Sequence, residues 1–239
     1  MKQRSIRVRL LALGAVATLG LAACGGSDSA SDEAATDEAT EETVAEEVVS
    51  GVGNDCTAGK TLVEGKLTIG TGNPAYEPWV VGDKPESKEG FEAAVAYGVA
   101  EEMGFTDENV VWVRTGFDEA IQPGAKNFDF NLQQFSITEE RKASVTFSDP
   151  YYSTNQALVG FADSPVAKAT KVSELKDLKF GAQAGTTSLD FITKVIQPTS
   201  EPFIYDDNAA AKAAMEAKQI DAIVLDLPTA LYVSAVEIE

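Results

Sequence analysis

Two oppositely charged side chains, Arg141 and Asp226, lie where predicted strands end, and together they could hold both charged ends of one small zwitterion. An arginine offers a carboxylate two parallel N–H donors, a fork that lysine cannot copy. An aspartate can accept the ammonium. Thr186 and Thr187 open a predicted helix, where hydroxyls and backbone N–H groups at the positive helix end add to anion binding. Each residue also has an ordinary use. An arginine in a charged helix is commonly solvated, a threonine pair caps a helix, and an aspartate after a strand starts a turn. Their positions after strands give the combination its weight, because open α/β sheets bind ligands beyond the carboxyl ends of strands.

Other chemistries are poorly supplied. The sequence contains no histidine, which removes imidazole bases, His-based triads and His-ligated zinc. Gly185-Thr186-Thr187 does not continue into a phosphate loop, since no lysine follows a second glycine. No cofactor and no metal is expected. Glu77 and Glu92 are the only nearby acids or bases that an enzyme could use, and Glu92 reads as a capping or solvated residue of its helix.

The elements that must position these groups alternate. Strands are predicted over 66–70, 110–114, 128–132, 158–161, 179–183, 202–205 and 220–225. Between them fall helices over 90–104, 117–121, 138–143, 189–196 and 208–218, and Leu227-Pro228 opens a last one. Phe91, Val95, Val99 and Met103 recur every fourth residue and predict one apolar helix face. Thr138 and Asp207 are candidate N-caps. Strand-helix alternation predicts an α/β architecture with mainly parallel sheets.

Several strings carry a family likeness. Phe135-Ser136-Ile137-Thr138-Glu139-Glu140-Arg141, followed by Phe147-Ser148-Asp149-Pro150-Tyr151-Tyr152, resembles the signature of family-3 extracellular solute-binding proteins, the polar amino-acid receptors of ABC importers. Asp221–Asp226 resembles the later acidic motif of that family, Gly181–Thr187 its second-lobe anion turn, and Ile69–Trp79 its opening ligand loop. The likeness covers most of 62–235.

It implies a two-lobed, type II periplasmic-binding-protein-like α/β fold, with lobe 1 over 57–154 and lobe 2 over 155–239. Arg141 would clamp the ligand α-carboxylate, with Ser136, Thr187 and Thr186 adding hydrogen bonds. Asp226 would hold the ammonium and Tyr76 would pack on the ligand side chain. For Tyr76 and Trp79, lobe-core packing is the equal alternative. Phe147, Tyr151 and Tyr152 read as structural residues before the first crossover between lobes. Gln133 and Gln134 replace smaller residues, and Asn73 lies near a position often acidic in receptors for basic ligands. All three make the pocket less anionic, which disfavours Arg or Lys as the ligand.

The start of the chain predicts export. Met1–Arg9 holds four basic residues and no acid, and a 14-residue apolar or small run, Leu10–Ala23, follows. That run is too short to span about 30 Å of hydrocarbon at ~1.5 Å per residue. Leu21-Ala22-Ala23-Cys24 resembles a lipobox, which implies a signal peptide over 1–23, lipidation of Cys24 and a membrane-anchored, extracytoplasmic protein. Residues 24–56 read as an acidic, disordered tether, with ten acids and no base over 25–55.

The whole chain carries a net charge of −19, against the clustered basic residues that nucleic acid or anionic lipid would need. By resemblance the chain looks truncated before a return segment to lobe 1, which fits an unpaired Cys56. The expected function is the substrate-binding component of an amino-acid ABC importer, with a free amino acid and a permease as partners and a monomeric state. The alternative is an enzyme on the same scaffold, of the dehydratase or cell-wall hydrolase type. A ligand-sensing module for a signalling partner ranks last.

Overall fold

A computed structural model describes residues 52–238. The predicted signal peptide, Cys24 and most of the tether lie outside the described residues. Among the described residues, no helix is long and apolar enough to cross a membrane.

The described residues form two sheets. The first has the order β2-β1-β3, from β1 (Leu67–Gly72), β2 (Val110–Thr115) and β3 (Phe130–Asn131). Both of its pairings are parallel, with Ile69 opposite Trp112 on one side and Phe130 on the other. Helix α1 (Phe91–Glu102) connects β1 to β2, and α2 (Phe117–Ile121) with α3 (Glu139–Lys142) flank β3. The second sheet has the order β4-β7-β5-β6, from β4 (Gln156–Val159), β5 (Phe180–Gln183), β6 (Phe203–Tyr205) and β7 (Ala222–Asp226). There β5 runs parallel to β6 and β7, while β4 is antiparallel to β7. Helices α4 (Thr187–Asp190), α5 (Asn208–Glu216) and α6 (Leu227–Tyr232) complete this lobe. The alternation predicts the α/β architecture with mainly parallel sheets, and the resemblance predicts its two lobes.

The unbroken apolar run ending at Asp226 has a direct structural reason. Ile223 and Leu225 pack with Ala211, Met215 and Ala230 on one face of the sheet. Ala222 and Val224 pack with Phe180, Ile192 and Ile196 on the other. A strand buried on both faces has no polar side to show.

Four expectations require correction. The buried face of α1 is Glu92, Ala93, Ala96 and Ala100, whereas Phe91 and Val99 are exposed. Small residues let the helix approach β1 closely, so Ala96 and Ala100 join Leu67 and Ile69 in the core and Val95 and Met103 only flank it. Glu92 therefore neither caps nor faces solvent; it is 1% exposed. The helix predicted over 189–196 begins earlier, at Thr187, and continues beyond Asp190 as a wide turn with i→i+5 hydrogen bonding to Ile196. Val52–Asn54, placed in the tether by composition, engage lobe 1. Gly53 and Asn54 donate backbone hydrogen bonds to Gly104 O and Met103 O, and Val52 bridges Phe105.

Candidate functional site

The carboxyl ends of all six parallel strands converge on one cavity of ≈ 220 Å³. After β1 come Asn73 and Tyr76, after β2 Phe117, and after β3 Gln133, Gln134 and Ser136. On the other lobe Thr186 and Thr187 follow β5, Asp207 follows β6, and Asp226 ends β7. Its volume lies below the range of roughly 300–1,000 Å³ for drug-sized ligands, so it suits a smaller molecule. All eight residues singled out from sequence, Arg141, Asp226, Ser136, Thr187, Thr186, Tyr76, Gln134 and Asn73, line it.

Arg141 is held on three sides. Thr138 caps α3 by accepting from the Arg141 backbone N–H. The guanidinium donates from Nη1 to Ser136 O at 2.7 Å and from Nη2 to Gly185 O, across on the second lobe, at 2.9 Å. Phe117 and Phe135, with ring centroids 4.4 Å apart, lie 5.4 and 5.6 Å from its central carbon, close enough for cation–π attraction. The side chain is buried rather than solvated. Burial lowers its pKa, and the charges of Asp190 and Asp226 oppose that shift. Two carbonyls fix its plane while its fork retains further N–H donors.

Asp226 forms the opposite wall. Its Oδ1 accepts from Gln156 Nε2 at 2.6 Å, and Gln156 Oε1 accepts from Ser188 Oγ at 2.7 Å. Burial raises the Asp226 carboxyl above its ordinary pKa, against the lowering effects of the Gln156 hydrogen bond and the Arg141 charge. A carboxylate with this environment gains most from an added cation. Gln156 gave no signal in sequence, because its role depends on the antiparallel pairing of β4 with β7 that places it opposite Asp226.

The remaining residues divide. Ser136 Oγ and Thr187 Oγ1 lie 3.0 Å apart across the lobes. The Thr186 hydroxyl donates to Gln183 O and accepts from Leu189 N, so its oxygen serves as the helix cap. Gly185, at φ +68°, admits the sharp turn before it, and a Cβ there would stand 2.3 Å from Asp118 Oδ1. Tyr76 lines the cavity and has its phenol pushed up to about 12, first by burial and then by the charge of Asp207. Trp79 is core: it is 3% exposed, yet its indole N–H donates to Thr229 Oγ1 of the second lobe at 2.8 Å. Tyr76 and Trp79 therefore separate into one cavity residue and one packing residue.

The comparisons with known proteins agree with this architecture. Residues 67–225 match the bacterial extracellular solute-binding proteins, family 3. The chain belongs to that family. Among curated proteins it is 33% identical over 179 residues to a glutamine-binding protein of Geobacillus stearothermophilus, covering 71% of this chain and 64% of the relative. It is 33% identical over 167 residues to a probable histidine-binding protein of Campylobacter jejuni, covering 69% and 61%. The chain thus spans less than two thirds of the length of these relatives. Among solved structures, the ancestral amino acid-binding protein AncCDT-1, a precursor of cyclohexadienyl dehydratase, aligns with TM-score 0.61 and 31% identity over 72% of this chain and 75% of that one. An ancestral arginine-binding protein bound to arginine aligns with TM-score 0.58 and 30% identity, covering 71% and 74%.

Within this family frame, the pocket is more anionic than Gln133, Gln134 and Asn73 suggest. Asp206 and Asp207 also line the cavity, brought there by the end of β6. Neither belongs to a string that carries the family likeness, Asp207 being marked only as a helix cap, and the parallel pairing of β6 with β5 brings both to the cavity.

Proposed function

We propose that this chain is the substrate-binding component of an amino-acid ABC importer, capturing one free amino acid between its lobes and delivering it to a permease. The observation that carries the reading is the placement of Arg141 and Asp226 on one small cavity, each from a different lobe. The ligand carboxylate meets the guanidinium, Ser136 and Thr187. Its ammonium meets Asp226, and its side chain lies along Tyr76 towards Asn73. Contacts to both lobes favour the closed form, which the permease recognises.

Lobe 1 is assigned to 57–154 and lobe 2 to 155–239. The basic and apolar start and the Leu-Ala-Ala-Cys string support export, lipidation of Cys24 and tethering outside the membrane, and the protein is taken to act as a monomer. Names of relatives support polar amino acids as the ligand class, since those proteins are named for glutamine, histidine and arginine. No chemical step follows capture in this reading. The likeness to a dehydratase precursor leaves an enzyme on the same scaffold as the second reading.

A thermal-shift screen of the twenty amino acids, followed by calorimetry, tests the proposal. A saturable shift with a polar amino acid that disappears in Arg141→Ala is the expected result. No shift with any amino acid, or one that survives Arg141→Ala, would remove the receptor reading.

A further inference from the structure

We propose that Glu92 is a positioning residue for the ligand cavity, acting through Gln134 and tying that cavity to Tyr151 on the segment that crosses between lobes. This rests on the receptor reading above and adds a residue to its site.

Glu92 occupies the first turn of α1, where packing alone calls for an apolar side chain. Its neighbour Ala93 is fully buried with Val80 and Ala75. A buried carboxyl is costly unless donors hold it, and here three do. Oε1 accepts from the Gln134 backbone N–H at 2.8 Å and from the Tyr151 hydroxyl at 2.5 Å, and Oε2 accepts from Gln134 Nε2. No lysine or arginine is among these partners. The charged group acting on Glu92 is Asp226, which together with burial raises its pKa while the three donors lower it.

The Gln134 contact matters for the site. Gln134 has φ +53°, a left-handed conformation uncommon for a residue with a side chain. Chain geometry at Gln134 sets the course of the next two residues. Ser136 O then accepts from Arg141 Nη1 and Ser136 Oγ meets Thr187. The order Glu92, Gln134, Ser136, Arg141 therefore runs from a buried helix turn to the guanidinium on the cavity. Tyr151 joins from the other side, with its ring near Phe91 at 6.2 Å. A carboxylate saturated by neutral donors inside one lobe is suited to holding geometry rather than to proton transfer.

The test is a double-mutant cycle on the full chain, with L-glutamine and L-arginine as probes, read by calorimetry and by amide hydrogen exchange. Glu92→Gln puts a donor where acceptors are needed, and Gln134→Asn keeps tolerance for positive φ while shortening the amide's reach. Glu92→Gln is expected to weaken probe binding roughly tenfold, the scale of a hydrogen bond to a charged group. Its effect should shrink below about threefold in the Gln134→Asn background, because coupled residues do not add. Exchange at the Gln134 amide should accelerate in Glu92→Gln while β1 amides keep their protection.

Equal effects in both backgrounds, or an unchanged Gln134 amide, would overturn the proposal. Tyr151→Phe, which removes one hydroxyl, replaces Glu92→Gln if that variant does not fold, and is judged by the same two outcomes. Wild-type protein that binds neither probe, yet shows the selective Gln134 exchange, would count against the receptor reading and leave the hold of Glu92 on Gln134 standing.

Discussion

Glu92 in the first lobe and Asp226 in the second are both acids with carboxyls raised by burial, yet their surroundings differ. Glu92 accepts three hydrogen bonds from its own lobe and the crossover segment. Asp226 accepts one, from Gln156, and its field includes the Arg141 guanidinium across the cavity. On the proposed reading, in which Asp226 holds the ligand ammonium, burial alone does not separate the structural acid from the ligand-holding one. The number of neutral donors does. An acid saturated by them gains little from a ligand, whereas one held by a single amide is raised and unbalanced, and an arriving ammonium lowers its free energy most.

The largest effect that could break this contrast is on the charged pair itself. Asp226→Asn removes the charge while keeping a similar shape, and Arg141→Lys keeps the charge while removing the fork. Loss of one partner from a buried charged contact costs about 2–5 kcal/mol, or roughly thirtyfold or more in Kd. Both variants are expected to lose that much affinity by calorimetry while keeping an unchanged circular dichroism spectrum. Near-normal affinity in Asp226→Asn would erase its distinction from Glu92.

Acidity offers the next, smaller test. A carboxyl raised on folding binds protons more tightly in the folded than in the unfolded chain. The ligand-free protein therefore loses stability as pH rises from the ordinary carboxylate range through the raised values of Glu92 and Asp226. An ammonium on Asp226 offsets that loss only once Asp226 is ionised. Amino-acid affinity is accordingly expected to fall by up to tenfold per pH unit as pH drops through the raised Asp226 value, and the ligand-induced rise in Tm should grow with pH. In Asp226→Asn the slope should flatten. A slope unchanged in that variant would place the titrating group elsewhere.

The same contrast shows what sequence can and cannot carry. Arg141, Ser136 and Asp226 sit in strings whose spacing ties them to strand ends, so their place at the cavity was legible. The caps Thr138 and Asp207 were legible too, because capping is local: each accepts from the N–H three residues on. Glu92 and Gln156 were not. Their partners are 42, 59 and 70 residues away, and nothing in a local pattern encodes such distances. The face of α1 failed for another reason. Large apolar residues at steps of four outline a stripe, but tight packing against β1 selects the alanines beside it, so side-chain size does not report burial on this helix.

The smallest effect tests the closing contact between the two regions. Trp79 stands beside Phe91 and Tyr152 in edge-on contact in the first lobe, and its indole N–H reaches Thr229 in the second. This bond joins the side of the molecule that contains Glu92 to the helix that follows Asp226. A neutral hydrogen bond contributes about 0.5–1.5 kcal/mol, so Thr229→Val should raise the ligand Kd roughly two- to tenfold. The bond exists only while the lobes touch, so the change should appear as faster ligand release, with little shift in the ligand-free Tm. The fluorescence of buried Trp79 gives a direct readout of release by stopped flow. An equal fall in ligand-free stability would instead make Trp79–Thr229 a permanent part of the fold, and the two acids would then sit on one rigid body rather than on two lobes joined by the ligand.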